Sequence, residues 1–111
     1  QVKPWPTRID EKAEGVRDEL STELQRNYDL GGGVTEQMLE FLNPLEDDVS
    51  FVDLTIFSIC EDTFRKQAML EVQSLAKRGR MIIEDLILEN KRLSLLREAL
   101  GNSDNEQSDR N

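Results

Sequence analysis

Between Ala68 and Leu100 the apolar residues of this chain return at alternating intervals of three and four. That spacing lays them along one stripe of an α-helix and, sustained over heptads, makes a coiled-coil seam. One seam runs Met69, Val72, Ala76, Gly79, Ile83, Leu86, Asn90, Leu93, Arg97 and Leu100. With Leu86, Leu93 and Leu100 at d, the a positions are Met69, Ala76, Ile83, Asn90 and Arg97. Ile at a with Leu at d favours two parallel strands, and a single Asn at a fixes register, the role expected of Asn90. A second seam, Val72, Leu75, Gly79, Ile82, Leu86, Leu93 and Leu96, lies beside the first. The doubled stripe suits a helix that touches more than one neighbour.

The expected contact surface is therefore Met69, Val72, Leu75, Ile82, Ile83, Leu86, Asn90, Leu93, Leu96 and Leu100. An ordinary amphipathic helix packed inside its own subunit would show the same periodicity. Shelter by another chain is favoured because the remaining sequence supplies few large apolar residues to cover so long a stripe. Hydrophobic residues make up 37% of the chain and charged ones 33%, a balance that suits long solvated helices better than a thick globular core. The 111 residues make one small domain, near the size at which a single core becomes adequate. Gln rather than Met stands first, which predicts a fragment or a processed product.

Charge excludes some partners. The net charge is −9. Residues 1–50 carry five basic and twelve acidic side chains, and residues 51–100 carry eight of each. Neither half has the cationic surplus that counterion release from a phosphate backbone requires, so no nucleic-acid partner is expected. Lys77, Arg78 and Arg80 form a small basic cluster, read here as a solvated helix face. Leucine heptads also resemble those of basic-zipper proteins, but the preceding EDTFRKQAMLEVQSLAKRGR lacks a dense basic run, and the resemblance ends at the heptads.

One Cys and no His preclude an internal disulfide and leave a zinc site without its usual ligands. No apolar run approaches the length of a membrane span and no secretory core is visible, so an intracellular protein, cytoplasmic or nuclear, is expected. General acid–base catalysis needs a group titrating near neutrality. Asp47/Asp48 and Glu84/Asp85 sit in charged surroundings, and Cys60 has acidic neighbours and no basic partner. No catalytic residue, cofactor, metal or small-molecule substrate is expected.

Taken in order, residues 1–9 predict an extended arm holding Trp5 between Pro4 and Pro6. Residues 10–30 predict a first helix capped by Asp10, with Ala13, Val16, Leu20 and Leu24 on one face and Gly31–Gly33 ending it. Residues 34–45 predict a second, capped by Thr35 and stopped at Asn43-Pro44. Residues 46–50 are an acidic linker. Over 51–60 two readings stand. Ser50-x-x-Asp53 resembles a capping box, and Phe51, Leu54, Phe57 and Phe64 follow helical spacing. Against that, Phe51, Val52, Thr55, Ile56, Phe57 and Ile59 favour strands. If extended, Phe51-Val52-Asp53-Leu54-Thr55 behind Glu46, Asp47 and Asp48 resembles a SUMO-interacting motif, which implies addition of a strand to a partner's sheet edge.

With no evident breaker, one helix is expected over 51–100, roughly 75 Å long at 1.5 Å per residue, with Gly79 its one weak point. A polar, disordered tail is expected over 101–111. The fold expected is all-α: a long C-terminal helix forming a coiled coil or helical bundle, with two shorter N-terminal helices folded against it. The function expected is protein–protein interaction, as a homodimer or with a heteromeric helical partner. A regulatory segment read through 51–55 is the alternative.

Overall fold

The computed structural model describes the backbone of residues 13–110 and the side chains of residues 13–101. The Trp5 arm and the Asp10 cap expected from the sequence lie outside the described residues. Among the described residues five helices follow in order: α1 Val16–Asp29, α2 Glu36–Leu42, α3 Asp48–Ile59, α4 Thr63–Glu71 and α5 Leu75–Arg110. No strand ladder forms among the described residues, so the protein is all-α with its long C-terminal helix packed against the others.

The single helix expected over 51–100 is instead three helices. The chain turns at Cys60–Asp62 and again at Val72–Ser74. Neither turn holds Pro or Gly. Each is set by an N-cap, a side-chain oxygen that takes an orphan amide of the next helix. Asp62 accepts from the Arg65 amide at 3.0 Å, and Ser74 Oγ accepts from the Lys77 amide at 3.2 Å. A straight rod would hold the apolar faces of α3 and α4 in water. Turned back, Phe51, Val52, Ile56, Met69 and Leu70 meet Leu75, Ile82, Ile83 and Leu86 in one core. Four short helices, rather than two, therefore accompany the long one.

The structure also decides between helix and strand over 51–60. Asp47 caps α3, accepting from both the amide and the hydroxyl of Ser50 at 2.9 and 2.8 Å. The capping-box reading therefore sits three residues too late. Phe51, Val52, Thr55 and Ile56 form the buried stripe of α3. The segment that resembled a SUMO-interacting motif is thus helical, with Phe51, Val52 and Thr55 buried, Leu54 half-buried and Asp53 ion-paired, because core packing outweighs their β-preference.

α1 begins at Val16, after Gly15 in the left-handed region at φ 84°. It ends as the glycine triplet predicts. Gly31 adopts φ 78°, with its amide donating to the Tyr28 carbonyl and that of Gly32 to the Asn27 carbonyl. These two bonds complete a Schellman cap. Thr35 caps α2 by accepting from the Met38 amide at 3.2 Å. α2 packs on α3 and α1 rather than on the long helix.

Among the described residues α1 and α5 make the most extensive helix pair. Val16 sits at Gly79, Glu19 at Arg80, Asn27 at Asn90 and Asp29 at Arg97, so the two helices run in the same direction. Gly79 does not break α5. A Cβ there would overlap Val16 Cγ1, so the glycine lets the two helices approach closely. At the far end, the α5 backbone passes Gly101 and stays helical to Arg110 where a disordered tail was expected. Extending an existing helix adds one hydrogen bond per residue fixed, without a new nucleation cost.

Gly79→Ala tests the close approach. Helix propensity alone favours Ala by about 1 kcal/mol, whereas overpacking costs about 1–3 kcal/mol. A net loss of stability is expected in urea unfolding, and Val16→Ala added to Gly79→Ala should recover part of it. A gain in the single variant would show that α1 and α5 are not in tight contact.

Candidate protein-interaction face

The two sides of α5 differ in kind, and the inner side is held to the bundle by two polar anchors. Asn27 on α1 donates its Nδ2 to Asn90 Oδ1 at 2.9 Å, while its own Oδ1 accepts from the Val34 amide at 2.9 Å. Asn90 Nδ2 in turn donates to the Glu23 carbonyl and to Glu23 Oε1, both at 3.0 Å. All three side chains are buried, and among the described residues no buried side-chain N or O atom lacks a partner. A satisfied amide network in a low-dielectric core fixes one register, since sliding α1 along α5 would strand its donors. Gly32 belongs to it, because a Cβ there would overlap the Asn27 amide.

The second anchor is Arg78, which is fully buried. Its Nη1 donates to Asp53 Oδ1 on α3 at 2.6 Å. Its Nε and Nη2 donate to the Val72 carbonyl, at the end of α4, at 2.9 and 2.7 Å. One guanidinium thus joins three helices and satisfies a carbonyl that α4 leaves open. Reading Lys77, Arg78 and Arg80 together as a solvated face missed this. The signal available was position: Arg78 lies on α5 beside Leu75, Ile82 and Ile83, facing inward at 3.6 residues per turn.

These contacts redraw the expected interface. Met69, Leu75, Ile82, Ile83, Leu86 and Asn90 are core residues of this chain, and Val72 and Leu93 are half-buried. The seam up to Asn90 is sheltered by α1, α3 and α4 without a second chain. Asn90, expected to face a second chain, instead bonds α5 to α1 of the same molecule. Of the expected residues only Leu96 and Leu100 stand exposed.

The outer side is what remains open. On it Leu88 and Leu95 are 68% and 58% exposed, while Leu96 and Leu100, which continue the inner seam, are 47% and 67% exposed. Met81, Leu88 and Leu95 fall seven apart on the outer stripe, Leu88 and Leu95 exposed and Met81 half-buried against the edge of the core. Two surface ion pairs border that stripe. Arg80 grips Glu19 of α1 bidentately at 2.7 Å, and Arg65 of α4 grips Asp85 at 2.9 and 3.2 Å. The Arg80 guanidinium holds the Glu19 carboxyl below its ordinary value, and Arg92 does the same to Glu89.

A cleft between α1, α3 and α5 contains Cys60, Asp85 and Glu89. Burial, aided by the charge of Asp85, pushes the Cys60 thiol up, so it is protonated at neutral pH and a weak nucleophile. Among the described residues no three thiol or carboxylate side chains gather to hold a metal ion, and no helix is long and apolar enough to cross a membrane. Comparison with protein-family models, curated proteins and solved structures found no match to this chain.

Asp53→Ala, which leaves the Arg78 charge buried and uncompensated, is expected to cost about 3–5 kcal/mol. The apolar pair Arg78→Met with Asp53→Leu removes the charge along with its partner. It should cost less, about 1–3 kcal/mol for the Val72 carbonyl left open. Equal losses would mean that the ion pair is incidental.

Acid should act through the exposed pairs. The Glu19 and Glu89 carboxyls sit below 4.5 in the folded chain. Their contribution is therefore complete above pH 4.5 and is lost as pH falls through the lowered values. Glu19→Gln should lower stability slightly above pH 4.5, where the pair is complete, and converge with the parent in acid, so that the acid limb of a stability–pH profile is flatter. An unaltered acid limb would show that the Glu19–Arg80 pair is not formed in solution.

Proposed function

We propose that this protein is a non-enzymatic protein–protein interaction module, an adaptor or structural subunit whose α5 pairs with another helix. The observation that carries this reading is the run of exposed leucines at 88, 95, 96 and 100 on a helix that extends past α1. The core needs none of them. Contiguous exposed apolar surface on a small domain marks a contact site, and a two-turn leucine repeat is what a partner helix recognises. The pairing surface is the outer stripe, since the seam up to Asn90 is already used. An intracellular setting, cytoplasmic or nuclear, goes with this reading, because the one cysteine is a free thiol.

The β-edge alternative has less behind it. Presenting 51–55 as a strand requires α3 to unwind and Phe51, Val52 and Ile56 to leave the core.

A photo-crosslinking residue at position 95 or 88 should capture a polypeptide in the cells that make this protein. One at position 22, on the exposed outer face of α1, should capture far less. Absence of any adduct at 88 and 95 would overturn the interaction reading.

A further inference from the structure

We infer that the outer stripe of α5 pairs with a second copy of this chain, the two α5 helices running antiparallel with Leu88 at the two-fold axis. This rests on the interaction reading above and names the partner.

The stripe consists of Met81, Leu88 and Leu95, flanked on one side by Lys77, Glu84, Lys91 and Glu98. Those four residues also recur every seven and alternate in sign. None of them makes an ion pair among the described residues, and all four are exposed. On the other flank lie Asp85 and Arg92, again opposite in sign and seven apart, which already pair within the chain with Arg65 and Glu89 and would add the second copy's charge to those pairs.

A two-fold axis perpendicular to two antiparallel helices carries each flank onto the same flank of its copy. Placed at Leu88, it sets Leu88 against Leu88 and Met81 against Leu95 of the second copy. The same operation sets Lys77 against Glu98, Glu84 against Lys91 and Asp85 against Arg92. Every charge meets its opposite, each pair occurs twice, and the apolar layers fall in step with the charged ones. The result is an isologous contact, the self-complementary kind that closes as a dimer.

Parallel pairing brings opposite flanks together instead. Glu84 then meets Asp85 and Lys91 meets Arg92, like charges in both cases, and flanking charges are what set orientation in helix pairs. The bundle leaves room for the antiparallel arrangement. The stripe lies between the Arg80–Glu19 and Arg65–Asp85 bridges, so α1 and α4 fall to either side of the second helix. The contact runs from Lys77 to Glu98, roughly 30 Å of helix.

Sedimentation equilibrium of the full chain from 10 μM to 1 mM should show twice the chain mass at the upper end. Lys91→Glu alone, or Glu84→Lys alone, should weaken the dimer at least tenfold. The double swap should return it to within about threefold of the parent, with helix content by circular dichroism unchanged throughout. In a Cys60→Ser background, Leu88→Cys should form a disulfide dimer on mild oxidation. Met81→Cys and Leu95→Cys should each remain uncrosslinked alone and crosslink when mixed.

A chain that stays monomeric across this range overturns the self-pairing. So do crosslinks from Met81→Cys or Leu95→Cys alone, or a double swap that does not restore mass. If position 95 still captures a different polypeptide in cells, only the identity of the partner has failed. If it captures nothing, the interaction reading has failed as well.

Discussion

A single buried guanidinium holds the bundle in its folded-back form. Arg78 donates from each of its three nitrogens inside the protein, to Asp53 of α3 and to the carbonyl that closes α4. A cation in that position is tolerable only when it is fully paired. The pairing requires α3, the end of α4 and the start of α5 to converge. The turn at Val72–Ser74 is what makes the convergence possible, and it gathers the apolar faces of three successive helices into one core. Remove the turn and the same residues would lie along a rod.

The Asn27–Asn90–Glu23 network does for register what Arg78 does for topology. Apolar contact between α1 and α5 tolerates sliding, whereas two buried amides with all their bonds made do not. Gly79 and Gly32 serve the same pair of helices by leaving space, one for Val16 and one for the Asn27 amide. α1 is thereby held over the first half of α5. The second half extends beyond it, still rich in leucine. The inner side of the long helix is a core and the outer side is a surface, even where α1 runs alongside it.

Much of the local structure was legible in the residues. Glycines after Leu30 end a helix because one of them can take a left-handed conformation, and Thr35 starts the next because its hydroxyl reaches an amide. The helical period over 75–100 was equally plain. The breaks at Cys60–Asp62 and Val72–Ser74 were harder to see. Asp62 and Ser74 are cap-forming residues, but such residues also sit inside helices, and neither turn carries the proline or glycine that usually announces a break. The pairing of Arg78 was hidden as well, because its partners lie 25 residues upstream on α3 and across a turn.

The sequence by itself determined that this chain is helical and that its C-terminal helix is amphipathic, since both follow from local spacing and residue type. Tertiary structure alone decided which apolar stripe of that helix is core and which is surface. Periodicity reports that a face wants cover; it carries no information about which neighbour supplies it. The neighbour turned out to be α1, α3 and α4 of the same molecule, brought into place by two capped turns and a buried ion pair whose partners are distant in the chain.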